Sequence, residues 1–153
     1  MLLSDVFVAL GEERLRRLLA RVSIGRLKTY QLYDRLKARL HMAKLNSDTL
    51  PKATPRAWSR LTGQDEEFAT DLAQALLISH LDMVRAVLEF LGIPNEDGFF
   101  AKDMDASAYL KDNWQERIWE KFHDTQPEAA LLLYINHLSW ELAKEPRIFL
   151  PPQ

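Results

Sequence analysis

Apolar residues recur along this chain at three- and four-residue intervals in block after block. No stretch shows the sustained alternation of β-branched residues that a half-buried strand requires. The pattern predicts an all-α protein, a single compact bundle of five or six helices with one long central helix. In the first block Leu15, Leu18, Leu19 and Val22 share a face, with Arg14, Arg17 and Arg21 opposite. It breaks near Ser23-Ile24-Gly25. A second block starts at Thr29, whose hydroxyl suits an N-cap, and aligns Leu32, Leu36, Leu40 and Ala43. After a polar linker, Thr54-Pro55 reads as a cap with proline at the first helical position. The short helix that follows runs through Trp58 and Leu61 and stops at Gly63.

The clearest block extends from about Asp65 to Leu91, with Gly92 as its stop and Pro94 just beyond. Phe68, Leu72, Leu76, Leu77, Val84, Val87, Leu88 and Leu91 hold one phase throughout. One helix of roughly 40 Å is therefore expected as the axis of the bundle. Residues 92–105 form the longest connection, with Asn95-Glu96-Asp97-Gly98 as its turn signal. A helix over 106–123 would align Leu110, Trp114, Ile118 and Phe122, burying Trp114 and Ile118 against the long helix. The last helix starts at Pro127, aligns Leu131, Ile135, Leu138 and Leu142, and ends before Pro146. Leu132, Leu133 and Trp140 make it apolar on more than one side, which places it near the bundle centre or at a subunit contact. Residues 147–153 read as an extended tail.

Composition narrows this picture. A chain of 153 residues with 47% hydrophobic and 27% charged residues has the size and balance of one globular domain, expected to span 1–153. Cysteine is absent, which excludes disulfides, thiolate metal ligands and a cysteine nucleophile from this sequence. The N-terminal residues lack a basic segment and a small-residue cleavage pattern and read as mature structure. The longest apolar run, 129–135, falls short of the ~20 residues that a membrane span needs. No membrane association is expected, and the cytoplasm is the expected location.

Charge is distributed unevenly. Residues 1–60 hold thirteen Lys and Arg against five Asp and Glu, a net +8, whereas residues 61–153 hold seven against seventeen, a net −10. Such asymmetry marks either a face for nucleic acid or two surfaces that attract each other. Arg14, Arg17 and Arg21 share one face and Arg56 and Arg60 another, while Lys28, Arg35, Lys37, Arg39 and Lys44 surround the second helix. Tyr30 and Tyr33 add aromatic faces on which single-stranded bases stack.

Four histidines carry the remaining chemistry. His80 falls in the middle of the apolar stripe of the long helix, so its imidazole is expected to be buried and to need a partner. Glu120 and His123 form one ExxH pair, but carboxylate-bridged two-metal bundles need two such pairs and two further glutamates. His137 and Glu141 lie one turn apart with Tyr134 on the same flank, an arrangement expected as a surface pair. A site made of three of His41, His80, His123 and His137 is geometrically conceivable. Asp103-Met104-Asp105 begins like a calcium loop, but Ala108 stands where glycine is required and Trp114 where the bidentate glutamate belongs. Asp105 or Ser107 instead suits a helix N-cap. Phosphate-loop, dinucleotide-binding, serine-hydrolase and zinc-protease signatures are all missing.

The leading functional reading is a non-enzymatic helical binding or interaction module, supported by the aromatic-rich helices and by Phe99 and Phe100 in the long connection. Its partner would be a protein or a second copy rather than nucleic acid, with no cofactor and no metal. The alternative is a nucleic-acid-binding protein using the basic half. A metal-dependent or hydrolytic enzyme built from scattered His and carboxylates comes third.

Overall fold

The computed structural model describes residues 1–100 and 104–152. Asp103, which opens the calcium-like stretch, lies outside the described residues. Among these residues the protein is mostly helical, with nine α-helices and one two-stranded hairpin. Contacts sort the chain into two units, 1–79 and 80–153.

The first unit contains α1 (Leu3–Leu10), α2 (Glu12–Ala20), α3 (Ile24–Thr29), α4 (Tyr33–Arg39), α5 (Thr54–Thr62) and α6 (Glu66–Ile78). Leu3, Phe7, Leu15, Leu61, Phe68 and Leu72 are among its fully buried residues. The helix expected from Thr29 is displaced. Ser23 is the N-cap, accepting from the Arg26 N–H at 3.3 Å, and Thr29 instead ends α3 with its hydroxyl donating to the Gly25 carbonyl at 3.0 Å. Gln31 then takes φ 61°, and the chain restarts as α4. A one-turn 3₁₀ segment at 51–53 leads into α5, so Pro55 follows Thr54 inside the first turn.

Helix ends in this unit are closed by charged side chains from other helices. The Glu66 carboxylate accepts from the N–H groups of Leu3 (2.6 Å) and Ser4 (3.1 Å) at the start of α1. Arg56 donates to the carbonyls of Leu40 (2.6 Å) and His41 (3.2 Å) at the end of α4. Each places charge of the favourable sign at a helix terminus and satisfies groups that the helix itself leaves unpaired.

The long central helix expected over 65–91 is two helices. α6 ends at Ile78 and α7 (Leu81–Leu91) begins after Ser79 and His80, which stand outside both. The apolar stripe keeps its phase across the break, which is why the sequence reads as continuous. The end of α6 is instead closed by α3. Arg26 donates to the Ile78 carbonyl at 3.1 Å, and the Ser79 hydroxyl accepts from the Ser23 N–H at 2.9 Å while donating to Ala75 O at 2.9 Å. Ser79 and Arg26 thus take up hydrogen-bonding capacity that would otherwise serve a continuing helix.

The second unit contains α7, the hairpin β1 (Asn95–Glu96) and β2 (Phe99–Phe100), α8 (Trp114–Phe122) and α9 (Glu128–Leu142). The turn signal at 95–98 holds the two-residue hairpin loop, Asp97 at φ 51° and Gly98 at φ 91°, after β1. Both central residues are left-handed, as a two-residue hairpin loop of matching twist requires. Phe90 meets Phe122 edge-on with ring centroids 5.7 Å apart, joining α7 to α8. The helix expected over 106–123 is interrupted. Asp105 caps a 3₁₀ turn at 106–109, accepting from the Ser107 N–H at 3.2 Å, and Asn113 at φ 61° then precedes α8. Ile118 is fully buried, whereas Trp114, at the first position of α8, is only half-buried.

Candidate functional site

The basic residues singled out in the first half have separate surroundings. Arg14 donates to the Leu10 carbonyl at 2.9 Å, Arg17 lies 3.5 Å from Glu13, and Arg21 is exposed at the end of α2. Arg56 is held by the end of α4, as described above. Arg60 reaches Asp65 at 3.9 Å and lies over the Phe68 ring, 5.3 Å from its centroid. Arg39 is shared between Asp71 (3.1 Å) and Glu67 (3.4 Å), with Arg35 also 3.4 Å from Asp71. Much of the apparent sequence dipole is therefore paired inside the first unit. Arg17 and Arg21 remain as outward-facing guanidiniums on α2.

In the second unit, buried polar groups converge on the segment that follows α9. Gln115, Asn136 and Ser139 are each 0% exposed. Asn136 accepts from the Phe149 N–H at 2.6 Å and donates to the Phe149 carbonyl at 2.9 Å. Ser139 treats Arg147 in the same way, accepting from its N–H at 3.1 Å and donating to its carbonyl at 3.0 Å. Gln115, from α8, adds a second donor to the Arg147 carbonyl at 3.1 Å. The Arg147 guanidinium meets Glu116 at 2.8 Å and holds that carboxyl below the usual range. Two helices thus fix the main chain of a strap, residues 147–150, at alternate residues.

Between these fixed residues the strap is open. The N–H and carbonyl of Ile148 make no hydrogen bond among the described residues. Phe149 is buried, its ring 6.2 Å from that of Trp119, while Ile148 and Leu150 are 37% and 46% exposed. A depression of about 480 Å³ lies beside them, lined by Glu116, Trp119, Glu120 and residues 147–150 and 152. Its size falls within the range of ligand-binding clefts.

Neither a protein-family model, nor a curated protein, nor a solved structure matches this chain.

The histidines do not converge. No group of three or more His, Asp or Glu side chains able to hold a metal ion occurs among the described residues. His80 stands half-buried at the N-cap of α7, outside the helix interior in which the sequence placed it. His123 packs on Trp119, with Nδ1 2.8 Å from that residue's carbonyl and Nε2 3.1 Å from Asp124. His137 departs from the expected surface pair. It is half-buried beside Tyr134 and Trp140, with ring centroids at 6.5 and 5.4 Å, and its Nδ1 lies 3.5 Å from Glu141. Burial pushes the His137 pKa down to about 4 and moves those of Tyr134 and Glu141 upward. At 100° per residue this trio occupies the side of α9 opposite Asn136 and Ser139.

Phe99 and Phe100 form β2, with Phe99 47% exposed and Phe100 half-buried. The sequence reading missed Gln115, Asn136 and Ser139. A signal was present, since Asn136 and Ser139 fall among the apolar residues of α9, and buried amides and hydroxyls need partners.

Proposed function

We propose that this chain is a non-enzymatic interaction module whose working surface is the strap after α9 and the depression beside it, and whose partner is a protein. One observation carries the reading: Gln115, Asn136 and Ser139, all fully buried, are spent on holding residues 147–149. Burying such groups is costly unless each finds a partner, and the partners that Asn136, Ser139 and the Gln115 amide N–H find hold the strap in the conformation described. That conformation turns Ile148 and Leu150 outward next to Trp119. Exposed apolar side chains on a rigid support, with an aromatic beside them, have the chemistry of an interface centre.

The test is selection from a displayed random-peptide library on wild-type protein, counter-selected on an Ile148→Lys, Leu150→Lys double variant. Both positions are exposed, so the variant should fold normally. The reading expects sequences retained by the wild type and lost by the variant. A selection that returns none overturns it.

A second reading rests on Arg17 and Arg21, exposed on a unit that holds thirteen Lys and Arg against nine Asp and Glu. It takes this face as a contact for nucleic-acid phosphates. Affinity for single- or double-stranded oligonucleotides that falls steeply with salt and disappears on Arg17→Glu with Arg21→Glu would favour it.

A further inference from the structure

The arrangement of hydrogen bonds along the strap specifies what kind of polypeptide would fit beside it. Arg147 and Phe149 direct both main-chain groups to Ser139, Asn136 and Gln115, so one edge of the segment is satisfied. Main-chain groups of an extended segment alternate between its two edges. The N–H and carbonyl of Ile148 therefore belong to the other edge and make no hydrogen bond among the described residues. An edge with unpaired main-chain groups is a template for strand pairing.

Charge narrows the occupant. Glu116 and Glu120 lie one turn apart on α8 and both line the depression. Glu116 is neutralised by Arg147, whereas Glu120 is exposed and makes no ion pair among the described residues. The depression therefore carries, on Glu120 beside the indole of Trp119, a negative charge that no described cation pairs.

We infer that the open edge of residues 147–150 pairs with an extended segment of another protein, one with alternating apolar residues and a Lys or Arg placed to meet Glu120. This inference rests on the interaction-module reading and names its partner. In the complex, the partner's main chain would exchange hydrogen bonds with Ile148. Its apolar side chains would lie on Ile148, Leu150 and Trp119, and its cation would reach Glu120. Main-chain pairing supplies affinity, and the position of the cation supplies register.

The probe is a blocked five-residue peptide of sequence valine-lysine-valine-isoleucine-valine, titrated into the full chain by calorimetry and by amide chemical shifts. Two analogues accompany it, one with glutamate replacing lysine and one N-methylated throughout. Ile148→Pro removes the central N–H of the open edge without breaking any bond to α8 or α9, and Glu120→Lys reverses the exposed charge on α8. Saturable binding is expected, with shifts centred on residues 147–150. It should be at least tenfold weaker with Ile148→Pro and lost with the N-methylated peptide. Glu120→Lys should invert the preference between the lysine and glutamate peptides, a result that stands even if Ile148→Pro disturbs the strap.

Absence of saturable binding overturns the inference. So does binding that is indifferent to both N-methylation and Ile148→Pro. Concentration-dependent dimerisation of the wild type, abolished by Ile148→Pro, would assign the edge to a second copy instead. Library-selected ligands that still discriminate the strap surface without these effects would remove strand pairing alone and leave the interaction module standing.

Discussion

Asn136 is fully buried on α9, and its carboxamide carries what a peptide unit carries, a donor and an acceptor at fixed spacing. It pairs with Phe149 as a neighbouring strand would. Asn136→Ala is therefore expected to cost about 2–3 kcal/mol, because the N–H and carbonyl of Phe149 lose their partner together. Urea unfolding at neutral pH checks the magnitude. His137 supplies a pH signature. Its folded pKa is about 4, below the ordinary 6.5, so between those values the unfolded chain binds the extra proton and stability falls as the solution is acidified. Glu141 acts in the opposite sense, since a raised folded pKa favours the fold at lower pH. Removing that opposition with Glu141→Gln should expose a loss on the order of 1–2 kcal/mol from pH 7 to pH 5. Adding His137→Gln should flatten it, and denaturant midpoints across that range read both outcomes.

At the scale of elements, the fold is built by closing short helices with charged side chains from elsewhere in the chain. Arg56→Ala should lower stability by about 1–2 kcal/mol by uncovering two carbonyls at the end of α4, whereas Arg17→Glu with Arg21→Glu should stay within about 0.5 kcal/mol. Thermal melts of the two variants side by side separate a capping arginine from a solvated one. In the hairpin, Gly98 combines a positive φ with a tight approach, since a Cβ would fall 3.1 Å from Val84 and 3.3 Å from Leu81. Gly98→Ala should thus cost about 1–2 kcal/mol or more, visible as a lower melting temperature.

These contacts also explain which elements the sequence made legible. Periodicity gave helical class and many buried positions, because burial alone sets a 3.6-residue repeat. It ran straight through Ser79 and His80, because the closure of α6 depends on Arg26 and Ser23, which lie more than fifty residues earlier in the chain. The interruption before α8 hinges on Asn113 at φ 61°, a local conformation that an apolar stripe does not report. For the candidate site, the sequence marked an extended tail and a last helix apolar on more than one side. It did not join them, since Asn136 and Ser139 acquire meaning only when Phe149 and Arg147 are placed against them.

At the scale of the whole molecule, the net charge of −2 resolves into +4 for residues 1–79 and −6 for residues 80–153, with the basic side chains of the first unit largely occupied by carbonyls and carboxylates. No described helix is long and apolar enough to cross a membrane. The strap after α9 is held along one edge and open along the other. Residue-resolved amide hydrogen exchange of the native chain measures this most directly, because protection follows hydrogen bonding residue by residue. The account predicts alternation, with Arg147 and Phe149 exchanging at least about tenfold more slowly than Ile148 and Leu150, relative to their intrinsic rates. Uniformly fast exchange from 147 to 150 would mean that Asn136 and Ser139 do not hold the strap, and would contradict the account.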